Sequence, residues 1–187
     1  AVDAAELRTC SRLIITGRDG LGTAREAVEL VRRAEAANLL PEDSILVPGR
    51  CLLLLSEERL HAVLAELLAP HQKVLLFVDN LPLHFHGVGL KRLDEVLVAL
   101  QACETSYVIA TASPDQITKA HKAWLRLARF REVALPDLSD DEAGRLIDSA
   151  TGVFGIQIGD EARGELISRG DGTPSLVVSG LQCLRVQ

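Results

Sequence analysis

Five stretches of the chain carry their apolar residues in a continuous run rather than in alternation: RLIIT (12–16), SILV (44–47), KVLLFV (73–78), SYVIAT (106–111) and REVALP (131–136). A strand with one wet face alternates apolar and polar residues, whereas an unbroken apolar strand needs cover on both faces. The segments between these runs supply that cover, because they carry apolar residues at helical spacing. Helices are predicted over residues 24–37, 56–68, 90–103 and 117–130. In the second of them Ser56 can cap a helix with Leu60, Val63, Leu64, Leu67 and Leu68 on one face. Strand and helix in alternation predict an α/β fold, a five-stranded parallel sheet with helices on both sides, over residues 1–137.

Beyond Pro136 the strand signals stop. SDDEAGRLIDSATG, GDEARGELISRG and TPSLVVSGLQCLRV each open with a capping residue or Pro and close near Gly. They predict a small all-helical appendage over residues 138–187. A chain of 187 residues, 48% apolar, can build one main core and such an appendage. No run reaches the roughly 18 to 20 apolar residues of a membrane span, so no membrane partner is expected. The net charge is −6 with lysines and arginines scattered among carboxylates, which argues against a nucleic-acid groove. Cys10, Cys51, Cys103 and Cys183 lack any ligand spacing and read as buried reduced thiols, hence a cytoplasmic setting. The chain has no methionine, which suggests a segment of a longer polypeptide.

GRDGLGTA (17–24) joins the first strand to the first helix. A turn in this place can hold phosphate on backbone amides and a helix N-terminus, and Gly17, Gly20 and Gly22, with Leu21 among them, are spaced for it. The phosphate-binding loop G-x-x-x-x-G-K-[ST] ends in a lysine for the outer phosphates and a hydroxyl for magnesium. Here those letters are Thr23 and Ala24. Loss of one charge-assisted contact weakens phosphate binding by about 10-fold to over 100-fold, and Asp19 adds a negative charge nearby. A Gly-rich turn between strand and helix is also common without any ligand.

Further along, VLLFVDN (74–80) resembles the second nucleotide motif of AAA+ ATPases, an apolar run ending in Asp-Glu, with Asp79 retained and Asn80 in place of the Glu. YVIATASPD (107–115) resembles the family's polar strand end called sensor 1, with Thr111 as its polar residue. WLRLARFREVALPDLSDDEAGRLI (124–147) is similar to the stretch whose arginine before Phe serves a neighbouring subunit. Arg129 matches best there, ahead of Arg126 and Arg131. ISRGDGTPSLVV (167–178) resembles the lid segment whose arginine touches phosphates, a place held here by Ser175. Segments 40–60 and 134–143 look most like the CbxX/CfqX clade, with the Clp/Hsp100 first AAA domain second.

The resemblance implies an AAA+ core with a helical lid, ring or tandem assembly with other AAA+ modules, and a site for ATP or ADP with magnesium. Thr23, Ala24, Asn80 and Ser175 depart from the pattern where the chemistry would occur, whereas Asp79, Thr111 and Arg129 fit it. The expectation is a degenerate module with weak or absent nucleotide binding and little hydrolysis, acting on protein partners as a regulatory or scaffolding unit. The alternatives are a working ATPase in which Arg18 or Arg25 replaces the missing lysine, and a slow ADP/ATP switch of the STAND type. His84 and His86 have the spacing of a metal pair but lack a third ligand in sequence; Phe85 reads either as an exposed loop aromatic or as a contact for a threaded chain. Trp124 reads as core.

Overall fold

The computed structural model describes residues 2–40, 44–67, 73–85, 88–101 and 106–185. They form two compact units. One comprises residues 1–16 and 23–134; the other comprises residues 17–22 and 135–187. The first strand-to-helix loop therefore clusters with the C-terminal helices, whereas its place in the sequence predicts it within the α/β part.

In the α/β unit, a short helix α1 (Glu6–Thr9) precedes β1 (Arg12–Thr16), α2 (Thr23–Ala36), β2 (Ser44–Pro48), α3 (Gly49–Leu53) and α4 (Glu57–Leu67). There follow β3 (Lys73–Val78), α5 (Val88–Gln101), β4 (Tyr107–Ala112), α6 (Lys119–Leu127) and β5 (Arg131–Ala134). All strands are parallel, in the order β2-β3-β4-β1-β5. Every residue of β1 is buried, as an unbroken apolar run demands of a central strand.

Alternate residues serve opposite faces of the sheet. Ile14, Leu76, Val78, Val108 and Ala110 face a core completed by Leu52 and Leu53 of α3, Leu60 and Leu64 of α4, and Leu93, Val96 and Leu97 of α5. Leu75, Phe77 and Ile109 instead share a groove of about 200 Å³ with Ala27, Val28 and Val31 of α2. A fully buried Leu or Ile stabilises by roughly 1.5–3 kcal/mol, so these layers dominate the folding energy of the unit.

Several boundaries move from their sequence positions for local reasons. Helix α6 begins after Thr118, whose hydroxyl accepts from the His121 amide while the His121 ring accepts from the Thr118 amide. It ends before residue 130 because Arg129 turns into the left-handed region at φ 59°. Ser56 does cap α4, accepting from the Arg59 amide at 3.4 Å. Strand β5 stops at Ala134, short of Pro136, which has no amide for a ladder. Beneath β1, the buried Arg12 donates to the carbonyls of Ala128 and Leu97, at 2.7 and 3.2 Å. A C-terminal carbonyl of α6 is thereby closed from inside the unit.

The helical unit contains α7 (Asp140–Phe154), α8 (Asp160–Gly170) and α9 (Pro174–Arg185). Ile147, Val177 and Leu181 are fully buried at its centre, with Leu146, Phe154, Leu166 and Ile167 around them. Ser139 opens α7 with a reciprocal cap: its hydroxyl accepts from the Glu142 amide and the Glu142 carboxylate accepts from the Ser139 amide.

Two expectations about side chains do not hold. Cys51 and Cys183 are exposed and Cys10 is half-buried, because the faces of α3 and α9 that carry the first two turn away from their cores; Cys103 lies outside the described residues. Phe85 is no free loop aromatic. It stacks on the His121 ring at 4.2 Å and meets Trp124 edge-on at 5.0 Å. Trp124 is half-buried against the core and donates its indole N–H to Asp94 at 2.8 Å.

Candidate functional site

The residues singled out in sequence fall in both units. In the α/β unit, β3 and β4 are neighbours and Val78 lies opposite Ala110, which brings Asp79 and Asn80 beside Thr111 at the carboxyl ends of the strands. Ligands of open parallel sheets gather at these ends. The buried Thr111 hydroxyl donates to Asp79 Oδ1 at 2.6 Å and accepts from the Asn80 amide at 2.9 Å. Both hydrogen-bonding capacities of the hydroxyl are used to hold the turn. Asn80 is left-handed, at φ 49° and ψ 60°, and its side-chain Oδ1 is buried without a partner among the described residues. An amide does not accept a proton at neutral pH, so Asn80 offers no general base beside the exposed carboxylate of Asp79.

In the helical unit the loop of residues 17–22 is tied down. Arg18 presents its guanidinium fork to Asp137, with Nε donating at 2.9 Å and Nη2 lying 2.8 Å from the second oxygen. Nη1 donates to Asp171 Oδ2 at 3.0 Å and Nη2 to the Asp171 carbonyl at 2.7 Å. Hydrogen bonds to Asp171 and then Asp137 hold the Arg18 pKa above its already high value. The Ser175 amide donates to the Gly20 carbonyl at 3.3 Å, and the Leu21 amide to the Arg18 carbonyl at 3.1 Å. Gly20 has φ 88°, and a Cβ placed there would lie 2.1 Å from Ser175 Oγ and 2.9 Å from the Thr173 methyl. The side of Gly20 on which a side chain would stand is packed against Thr173 and Ser175.

Thr23 and Ala24 open α2, whose first turn carries the carboxylate of Glu26. That carboxylate pairs with Arg33 and accepts from the Val2 amide, both at 2.6 Å, so its charge is engaged within the α/β unit. Arg25 is exposed. Of the three candidate arginines after α6 begins, Arg131 is engaged by Glu6 at 2.9 Å and by the Thr9 hydroxyl at 2.9 Å. Arg126 and Arg129 are exposed. His84 lies in a 3-10 turn (Leu81–His84), where burial lowers its pKa against a raising hydrogen bond to the Asp79 backbone. His86 lies outside the described residues, and among those described no three His, Cys, Asp or Glu residues converge for a metal.

The residues present do not fit a magnesium triphosphate. No lysine stands in the loop, and its one arginine is engaged by two carboxylates. Asp137 and Asp171, which make the difference, are 119 and 153 positions from Arg18, a pairing that no local sequence signal announces.

No family model matches the sequence, and neither does any curated protein. Solved structures do. The RuvB Holliday junction branch migration motor of Thermotoga maritima matches with a TM-score of 0.62 at 17% identity, over 94% of this chain and 55% of its own. Hsp104 of S. cerevisiae, in its casein complex, matches at 0.63 and 15% over 98% of this chain and 35% of its own. AMPPCP-bound DnaA of Aquifex aeolicus matches at 0.67 and 12%, over 98% and 59%. The chain thus spans between about a third and three fifths of the length of these proteins. All three are AAA+ ATPases, and at such identities the likeness is one of fold: the chain has the AAA+ fold. The likeness does not single out the CbxX/CfqX clade. Nor does it support the expected exclusion of nucleic acid, since RuvB is named for its work on a DNA junction.

Proposed function

We propose that this AAA+-folded chain is a degenerate module that holds nucleotide weakly or not at all, hydrolyses little, and serves as a regulatory or scaffolding unit of a larger protein or ring. The observation that carries this reading is the loop of residues 17–22, closed by its own unit through Arg18 with Asp137 and Asp171 and through Ser175 over Gly20. In a phosphate cradle backbone amides donate to the phosphates, and a cation is free to meet the outer ones. Here Ser175 packs against the loop glycine and the cation is neutralised within the protein. The absence of a base at Asn80 acts in the same direction.

The same engagement of Arg18 weighs against a working motor in which that residue substitutes for lysine. Arg25, exposed in the first turn of α2, keeps that alternative open. A cytoplasmic site of action accords with the free cysteines and with the lack, among described residues, of a helix long and apolar enough to cross a membrane.

The test is calorimetric titration with ATP and ADP, with and without magnesium, beside a phosphate-release assay. The expected result is weak or undetectable binding and no release above background. Turnover near one per second that disappears in Asp79→Ala would overturn the reading.

A further inference from the structure

Helix α6 carries a basic face that makes no hydrogen bond to the cluster of Asp79, Asn80 and Thr111. Lys119, Lys122 and Arg126 follow one another at spacings of three and four, which places them along one exposed face, and Arg129 continues the line beyond the helix end. Basic residues that look scattered in the sequence are thus gathered into a stripe about 15 Å long, at 1.5 Å per residue. None of the four has an ion pair or side-chain hydrogen bond among the described residues. Some exposed arginines elsewhere pair with carboxylates, Arg32 with Glu29, Arg163 with Asp148 and Arg169 with Glu165, whereas others, such as Arg25 and Arg145, stand singly and without an ion pair among the described residues.

Three details set the stripe apart from an ordinary solvated face. Two lysines sit in the first turn and a half of α6, where no acidic residue is present, although the helix dipole favours anions at that end. Arg129 occupies a left-handed conformation that costs a non-glycine residue energy, and its charge lies close enough to the buried Arg12 to lower the pKa of that guanidinium, second to burial. Leu127, 84% exposed, stands beside the cations as an uncovered apolar side chain. Positive charge and an apolar anchor are both left without cover.

We propose that this face of α6, Lys119, Lys122, Arg126, Leu127 and Arg129, docks a short acidic segment of a partner protein that carries an apolar side chain against Leu127. The choice of a protein over a nucleic acid follows from the face itself. An exposed leucine among cations matches the mixed core and rim of a protein interface, while the ring that would stack on bases, Trp124, is turned inward onto Asp94 and Phe85. A net charge of −6 also repels a long polyanion wherever it overhangs the stripe, and a short acidic segment stays within it. The docking is independent of nucleotide and of whether the loop at residues 17–22 binds phosphate.

The experiment uses the 187-residue chain without nucleotide, so that its outcome is separate from the turnover assay above. A labelled helical peptide of glutamate, with leucine at every third or fourth position, is titrated by fluorescence anisotropy at low and high salt. Beside it run the same peptide with glutamine for glutamate and a single-stranded oligonucleotide of equal net charge. The expected result is salt-sensitive binding of the acidic peptide, stronger than that of either control. Lys122→Glu/Arg126→Glu should weaken it by about tenfold or more, and Leu127→Ala by about tenfold. Lys122→Arg/Arg126→Lys, which keeps both charges, should restore it, with circular dichroism confirming that each variant is folded. The proposal is overturned if the charge-reversed variant binds unchanged, if the oligonucleotide binds as well as the peptide with Leu127→Ala indifferent, or if sedimentation shows self-association that the reversal abolishes. The last result would make a second copy the occupant.

Discussion

Gly20→Ala tests the closure of the loop directly. The added methyl meets two obstacles of different kinds. The backbone at φ 88° is disfavoured for any L-residue, at roughly 1–2 kcal/mol. The methyl would also sit 2.1 Å from Ser175 Oγ and 2.9 Å from the Thr173 Cγ2. The serine hydroxyl can rotate away; the Thr173 methyl belongs to a residue only 5% exposed and cannot. Overpacking of this kind costs about 1–3 kcal/mol, so the sum is about 2–5 kcal/mol. In a chain of this size that lowers the melting temperature by roughly 4–20 °C. Urea denaturation followed by circular dichroism measures it, and Thr173→Ser in the Gly20→Ala background should recover the steric part and leave the backbone part, as a double-mutant cycle separates them. If Gly20→Ala changes stability by less than about 0.5 kcal/mol, the loop does not lie against Thr173 and Ser175 in solution and is not closed to phosphate.

Two further outcomes follow from the same structure. Thr111→Val keeps the shape of a buried side chain but removes the donor to Asp79 and the acceptor of the Asn80 amide; it should cost about 1–3 kcal/mol and speed hydrogen exchange at Asn80, with Thr111→Ser close to native. Glu142 accepts from the Ser139 amide and then from its hydroxyl, which holds its pKa below the usual carboxylate range. Because the folded-state value is the lower one, the cap contributes above the unfolded pKa and is lost as pH falls through the folded one. Carbon NMR titration of Glu142 should show the lowered value, and Ser139→Ala should raise it toward normal; an unchanged titration would contradict the reciprocal cap.

What the sequence decided by itself was the set of elements whose cause is local. KVLLFV is β3 residue for residue and RLIIT is β1, because an unbroken apolar run admits no exposed face. The cap at Ser56 and the three terminal helices are also local matters, settled within one turn by a hydroxyl, a proline or a glycine. The convergence of Asp79, Asn80 and Thr111 is implied by family resemblance, and it rests on β3 and β4 being neighbours in register.

Tertiary structure alone decided what the loop is. GRDGLGTA reads as a phosphate cradle lacking its lysine, and nothing within it says that Arg18 is bound to Asp137 and Asp171 or that Ser175 packs against Gly20. The same holds for α6, whose cations form a stripe through helical geometry but stand alone, among the described residues, only because no carboxylate from another element reaches them. Local order follows from backbone and neighbour preferences over a few residues. The availability of a charge depends on what the rest of the chain brings within about 4 Å of it, and that distance is set by packing.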